Sequence, residues 1–218
     1  MEGVQFPFAA LYNKPEAKIK CSKYQVIVFI VVPNNRSLAN YVETALRYLG
    51  NPSKDKVVIS RGEDVPFIIE ELSQNGKKAI GLTGRDLFKE YELSKYSTNL
   101  IVLKTIGWND KNAMFGKPVL CLLGQKGKKL EDLPKSLRVS INSKYKNLAK
   151  KYLNTLEDKG YKFAKIYLSG STESAYCNGI SELVIDIVYT GLSMKNANLE
   201  VYDKLFESDF VIVGVKND

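Results

Sequence analysis

With 218 residues, the chain is long enough for one large domain or two small lobes around a substantial core. Its 32 Lys and Arg against 24 acids give a formal charge of +8. The basic residues are scattered (Lys126, Lys128, Lys129, Lys144, Lys146, Lys150, Lys151) instead of striped among aromatics, which excludes an obvious nucleic-acid surface and favours a solvated exterior attractive to polyphosphates. Three cysteines without regular spacing, Cys21, Cys121 and Cys177, argue against a disulfide framework or zinc site and for a reducing, cytoplasmic setting; the mixed-polarity N-terminus has no secretory pattern, and the longest apolar run, Val26 to Val32, is too short to cross a bilayer.

In chain order the pattern predicts a strand over residues 25–32, then a helix capped by Ser37 with Leu38, Val42, Leu46 and Leu49 on one face, stopping at Gly50. Strands at Val57 to Ser60 and Ala79 to Leu82 bracket a helix from Val65 to Asn75, with Asp64 as its cap. Strands follow over 99–106, 118–123 and 137–141. A helix from Lys144 to Lys159 presents Leu148, Tyr152 and Leu156 at four-residue spacing and ends at Gly160, and its Tyr152 is expected in the core. Strands at 163–168, 183–189 and 209–215 complete an alternation that reads as α/β.

The most informative stretch is residues 182–194, ELVIDIVYTGLSM, an apolar strand with one embedded acid running into a Thr-Gly-x-Ser turn. A lone carboxylate is costly in a dry interior, so Asp186 is expected at a strand end or beside a ligand. Gly191 permits a tight turn, and the Thr190 and Ser193 hydroxyls with the main-chain N–H groups from Gly191 to Met194 make a candidate cup for a sugar phosphate. An ordinary strand, turn and Ser-capped helix fits the same residues. Just upstream, residues 168–180, LSGSTESAYCNGI, add a strand end, a Gly-Ser loop and Glu173, so two acids flank one loop.

At these positions the chain resembles the ATP phosphoribosyltransferases. Their signature of Glu, Gly, a small residue, Asp and a Thr/Ser-Gly-x-Thr turn appears as Glu173, Gly179, Ser181, Asp186, Thr190, Gly191, Ser193 and Met194, with Ser193 keeping the hydroxyl of the usual Thr. The stretches 61–70 (RGEDVPFIIE), 76–90 (GKKAIGLTGRDLFKE) and 137–153 (LRVSINSKYKNLAKKYL) resemble further blocks of the family in the same order, the last its Ile-Ala-Thr-x-Tyr-Pro segment and following helix.

The resemblance implies a two-lobed fold of the periplasmic-binding-protein type (type II) with the substrate cleft between the lobes: residues 1–95 and 192–218 in lobe one, and 96–191 in lobe two. It implies condensation of ATP with phosphoribosyl pyrophosphate to phosphoribosyl-ATP and pyrophosphate, the first step of histidine biosynthesis. Glu173, Asp186 and Arg61 would be catalytic. Asp186 and Thr190, Gly191, Leu192, Ser193 and Met194 would bind phosphoribosyl pyrophosphate; Arg36, Arg61, Thr83, Gly84 and Asp86 would lie on the ATP or pyrophosphate side. Magnesium (Mg2+) would be held mainly by substrate phosphates, with no dedicated protein metal site.

The short form of the family, which this chain resembles in ending soon after its last predicted strand, works with a regulatory subunit similar to histidyl-tRNA synthetase. Homologous catalytic subunits pair, so a homodimer or higher oligomer is expected, without nucleic acid or membrane and without inhibition of the isolated chain by histidine. Two family features are absent: the lysine after the first strand, where Pro33, Asn34 and Asn35 stand, and an arginine between Gly50 and Arg61, near which Lys54 and Lys56 offer charge. A weakened or non-catalytic subunit, or a solute-binding module of the same fold, therefore remains an alternative. The chain has no histidine, so no histidine general base operates. Residues 1–23 precede the family's usual first strand and are expected to add an edge strand or interface segment.

Overall fold

The computed structural model describes residues 28–35 and 38–216. Arg36, Ser37 and the segment 1–23 therefore lie outside the described residues, and the first strand is seen from Val28 onward. In chain order the elements are β1 (Val28–Pro33), α1 (Ala39–Tyr48), β2 (Val57–Ser60), α2 (Val65–Gln74), β3 (Lys78–Gly84), α3 (Arg85–Ser94), β4 (Leu100–Ile106), β5 (Val119–Gln125), β6 (Ser136–Asn142), α4 (Lys146–Glu157), β7 (Lys162–Leu168), α5 (Thr172–Cys177), β8 (Leu183–Val188), α6 (Leu192–Asn196), β9 (Leu199–Glu207) and β10 (Phe210–Val215).

The chain forms two compact units, one comprising the described residues up to Thr83, Asn99–Ile106 and the described residues from Phe210 onward, the other Gly84–Thr98 and Gly107–Asp209. Each has its own five-stranded sheet, so the fold is α/β with two lobes. The boundaries differ from the expected lobes. Residues 192–209 belong with the second unit because β9 pairs along its length with β5, from Leu199 opposite Gln125 to Glu207 opposite Val119. Residues 84–94 join it because α3 packs on α4.

In the first unit the strand order is β2-β1-β3-β10-β4. The unbroken apolar run of β1 lies between two parallel neighbours, with Ile30 opposite Val57 and Phe29 opposite Ala79, and Val31 and Val32 are fully buried. Helix α2 crosses the sheet at Gly81, where a Cβ would meet Ile69 Cδ1 at 2.3 Å and Val65 Cγ1 at 2.4 Å. Asp64 occupies the N-cap position of α2 but makes no capping bond, because its backbone is already helical and cannot aim the carboxylate at the first-turn N–H groups.

In the second unit the order is β7-β6-β8-β5-β9, with β6 parallel to β7 and β8, and β5 antiparallel to β8 and β9. One face of the sheet buries Leu120, Leu122, Val139, Ile141, Leu183 and Ile185 beneath Leu148, Leu153 and Leu156 of α4. The other buries Val119, Cys121, Val184 and Val188 with Met194 of α6. Since side chains alternate along a strand, Asp186 shares this second face with Val184 and Val188. Tyr152 is half-buried against the first cluster and its hydroxyl donates to Asp203 Oδ2 at 2.9 Å. Helix α4 takes its cap from outside: the Glu90 carboxylate on α3 accepts the N–H groups of Asn147 and Leu148 at 2.6 and 2.8 Å.

Gly81→Ala is expected to lower stability by about 1–3 kcal/mol, because α2 must move off the sheet to admit one methyl group. Urea unfolding measures this as a lower midpoint with an unchanged slope.

Candidate active site

The carboxylate of Asp186 sits near the C-terminal end of β8, half-buried, and draws donors from three elements. Asn142, the last residue of β6, donates Nδ2 to Oδ1 at 3.0 Å; the main-chain N–H of Ile187 donates to Oδ1 at 2.7 Å; and Thr172, at the start of α5, donates its hydroxyl to Oδ2 at 2.6 Å. Burial pushes the Asp186 carboxyl above its ordinary value. The three hydrogen bonds oppose that rise, and the charge of Glu173 adds to it.

Glu173, the residue after Thr172, places Oε2 3.3 Å from the same Thr172 hydroxyl and accepts the Ser193 hydroxyl on Oε1 at 2.7 Å. The two acids picked out from sequence are thus brought together, joined through one threonine side chain. A hydroxyl carries one proton, and the shorter contact assigns it to Asp186. Ser193 ties the pair to the Thr190 to Met194 turn.

That turn follows β8 directly. Gly191 adopts φ +74°, a left-handed conformation suited to glycine, and its backbone is buried, whereas Thr190, Leu192 and Ser193 are exposed and Met194 is buried in the sheet face. Leu192 N–H points to Thr190 Oγ1 at 3.4 Å. Residues 107–118 pack against the turn: Met114 N–H donates to the Tyr189 carbonyl at 2.7 Å, the Tyr189 hydroxyl donates to Asp110, and a Cβ on Gly191 would meet Met114 Sδ at 3.0 Å. Tyr189 also meets Trp108 edge-on, with ring centroids 6.0 Å apart.

The remaining expected positions are distributed differently. Arg61, in the first unit, has a largely exposed guanidinium with Glu63 Oε1 3.9 Å away. Thr83, fully buried in the same unit, donates its hydroxyl to the Gly62 carbonyl at 2.8 Å. Gly84 and Asp86 belong to the second unit. There the Asp86 carboxylate is buried and accepts the hydroxyls of Tyr145, at 2.7 Å, and Ser208, so its acceptors serve internal packing. Sequence reasoning did not single out Asn142 or Thr172. The one legible signal for Asn142 was a polar amide closing an apolar strand, and Thr172 stood unremarked beside Glu173.

Comparison with known proteins fixes what this arrangement belongs to. A profile described as HisG: ATP phosphoribosyltransferase matches residues 61–218, well over half of the chain. The chain belongs to the ATP phosphoribosyltransferase family. A curated member from Dictyoglomus thermophilum is 32% identical over 73% of this chain and 67% of its own length. The chain spans 61% of the length of the relative from Caldicellulosiruptor bescii. Among solved structures, a chain of the ATP phosphoribosyl transferase (HisG:HisZ) complex from Thermotoga maritima shares 28% identity with a TM-score of 0.65, covering 86% of this chain and 87% of that one. The periplasmic aliphatic sulphonate binding protein SsuA from Escherichia coli, at 13% identity, TM-score 0.53, and coverage of 86% of this chain and 65% of its own, shares the fold alone. Members of the family and periplasmic binding proteins thus have one architecture in common.

Because burial raises the Asp186 carboxyl above its ordinary value of 3.8, the folded chain holds this proton to higher pH than the unfolded chain. Stability is therefore lost as pH rises through the interval from 3.8 to the folded value. Asp186→Asn is expected to melt at or above the parent temperature at pH 7, with the advantage vanishing toward pH 4, while phosphoribosyl transfer falls at least about a hundredfold. Melting curves at both pH values, beside a pyrophosphate-release assay, check this; equal loss of stability and turnover would make Asp186 structural.

Proposed function

We propose that this chain condenses ATP with phosphoribosyl pyrophosphate, yielding phosphoribosyl-ATP and pyrophosphate as the first step of histidine biosynthesis. The observation that carries this is the Asp186–Thr172–Glu173 group joined through Ser193 to the Thr190 to Met194 turn. The sugar 5-phosphate would take the turn's hydroxyls and main-chain N–H groups, with the ribose beside the two carboxylates. As the bond from the anomeric carbon to pyrophosphate breaks, its electron pair leaves on pyrophosphate, and a ring nitrogen of ATP supplies the new bond. Positive charge grows on the ribose, where Asp186 and Glu173 would stabilise it. Much of the remaining rate would come from holding two large anions in register. Arg61 would offer its planar fork to a polyphosphate.

Magnesium fits this donor set only as an ion carried mainly by substrate. Among the described residues no group of three His, Cys, Asp or Glu side chains converges. A bound ion would supply charge to the leaving pyrophosphate. The likeness to the HisG:HisZ complex supports a short-form catalytic subunit that docks a HisZ-type regulatory subunit. No helix among the described residues is long and apolar enough to cross a membrane; a cytoplasmic enzyme is consistent with this.

Pyrophosphate release is expected when the purified chain meets ATP, phosphoribosyl pyrophosphate and magnesium, and to rise when a HisZ-type subunit is added. Ligand binding without turnover under both conditions would favour a solute-binding module instead. Thr190→Val is expected to weaken phosphoribosyl pyrophosphate by tenfold or more, since a hydrogen bond to a charged group contributes about 1.5–3 kcal/mol. Ser193→Thr should stay within about threefold of the parent, because the hydroxyl is kept.

A further inference from the structure

Beneath the two carboxylates lie three buried hydroxyls, Ser181 joined to Ser140 directly and Ser140 to Thr172 only through the main chain, in a sheet face otherwise lined by Val184, Val188 and Cys121. Ser181, 3% exposed, donates to Ser140 Oγ at 3.0 Å. Ser140, fully buried on β6, donates in turn to the Thr172 carbonyl at 3.2 Å, shared with the Leu183 carbonyl at 3.3 Å. Thr172, also fully buried, donates to Asp186 Oδ2. Each hydroxyl has one proton: those of Ser181 and Ser140 lead to main-chain carbonyls at Thr172 and Leu183, and that of Thr172 goes to Asp186 Oδ2, an acceptor that binds it more strongly when ionised. Two residues beyond Ser140, on the same face of β6, Asn142 holds the other Asp186 oxygen.

Burying three hydroxyls in an apolar face is costly, and apolar side chains of similar size would fill the same space. Packing therefore gives no reason for them. Resting on the transferase reading of this site, we infer that Ser181, Ser140 and Thr172, together with Asn142, are positioning residues that fix the direction and ionisation of the Asp186 carboxylate. Ser140 acts through the main chain: by holding the Thr172 carbonyl it sets the start of α5 and so the aim of the Thr172 hydroxyl. The Thr172 hydroxyl also separates the two acids in role, because its shorter contact gives its proton to Asp186 and leaves Glu173 dependent on the exposed Ser193.

Few other groups face Asp186. Glu173 on α5 bears on it with like charge. Its register partner on β5, Cys121, has its thiol pushed up to about 12 by burial and is neutral at working pH; Lys204 and Asp203 of β9 act on that thiol. Removing a donor that favours the ionised form raises the pH at which Asp186 loses its proton, so the acid limb of the activity profile moves to higher pH.

The test measures kcat and KM against pH for the full chain, with the regulatory subunit present if turnover needs it. Thr172→Val and Asn142→Ala are expected to lower kcat by on the order of tenfold to a hundredfold. They should also shift the acid limb upward by roughly one pH unit, with KM for phosphoribosyl pyrophosphate little changed. Ser140→Ala, which touches neither the carboxylate nor substrate, shifts it the same way by less, and Thr172→Ser restores the parent profile. Acid limbs coincident with the parent in Thr172→Val and Asn142→Ala would overturn the inference. So would a fall in kcat that tracks melting temperature while Thr172→Ser behaves like Thr172→Val. An NMR titration of the Asp186 carboxyl carbon reads the same shift without turnover, so an inactive parent would refute the transferase reading while this readout still decides the inference.

Discussion

A carboxylate withdrawn from water must be given hydrogen-bond donors, and the second unit is organised around meeting that demand at Asp186. The parallel pairing of β6 with β8 brings Asn142 alongside, and the connection from β7 to β8 contributes Thr172 at the start of α5. All of them gather at the C-terminal ends of these strands, where α/β sheets characteristically hold ligands. The site is therefore a consequence of strand order.

Placing Glu173 on the next residue from Thr172 sets two negative charges around one hydroxyl, an arrangement that a fold selected only for stability would avoid. Ser193 relieves part of this from the solvent side, donating its hydroxyl to Glu173. The opposing tendencies of burial and hydrogen bonding at Asp186 show the same tension.

The chemistry of this corner was legible before the fold because it is local. Glu173, Asp186 and the turn after it lie within about twenty residues, and a charged residue inside an apolar strand stands out on its own. The donors were not legible in the same way. Asn142 is far away in sequence and becomes relevant only through sheet pairing. The β9 strand escaped because it is an edge strand with two register shifts against β5, which break the alternation that periodicity depends on. Asp64 erred in the opposite direction, since its position suggested helix capping but its backbone angles rule out the cap.

The reach of Glu90 from α3 to the first turn of α4 bears on how this molecule can be dissected. The stretch from Gly84 to Thr98 enters the second unit from before β4, and it carries both the acceptor for the Asn147 and Leu148 N–H groups and the Asp86 partner of Tyr145. A fragment cut at Gly107 and Asp209 would keep every strand of its sheet yet leave the start of its longest helix with bare amide protons. The second unit is thus an independent sheet without being an independent segment of chain, and any excised version has to carry α3 with it, joined by a new linker.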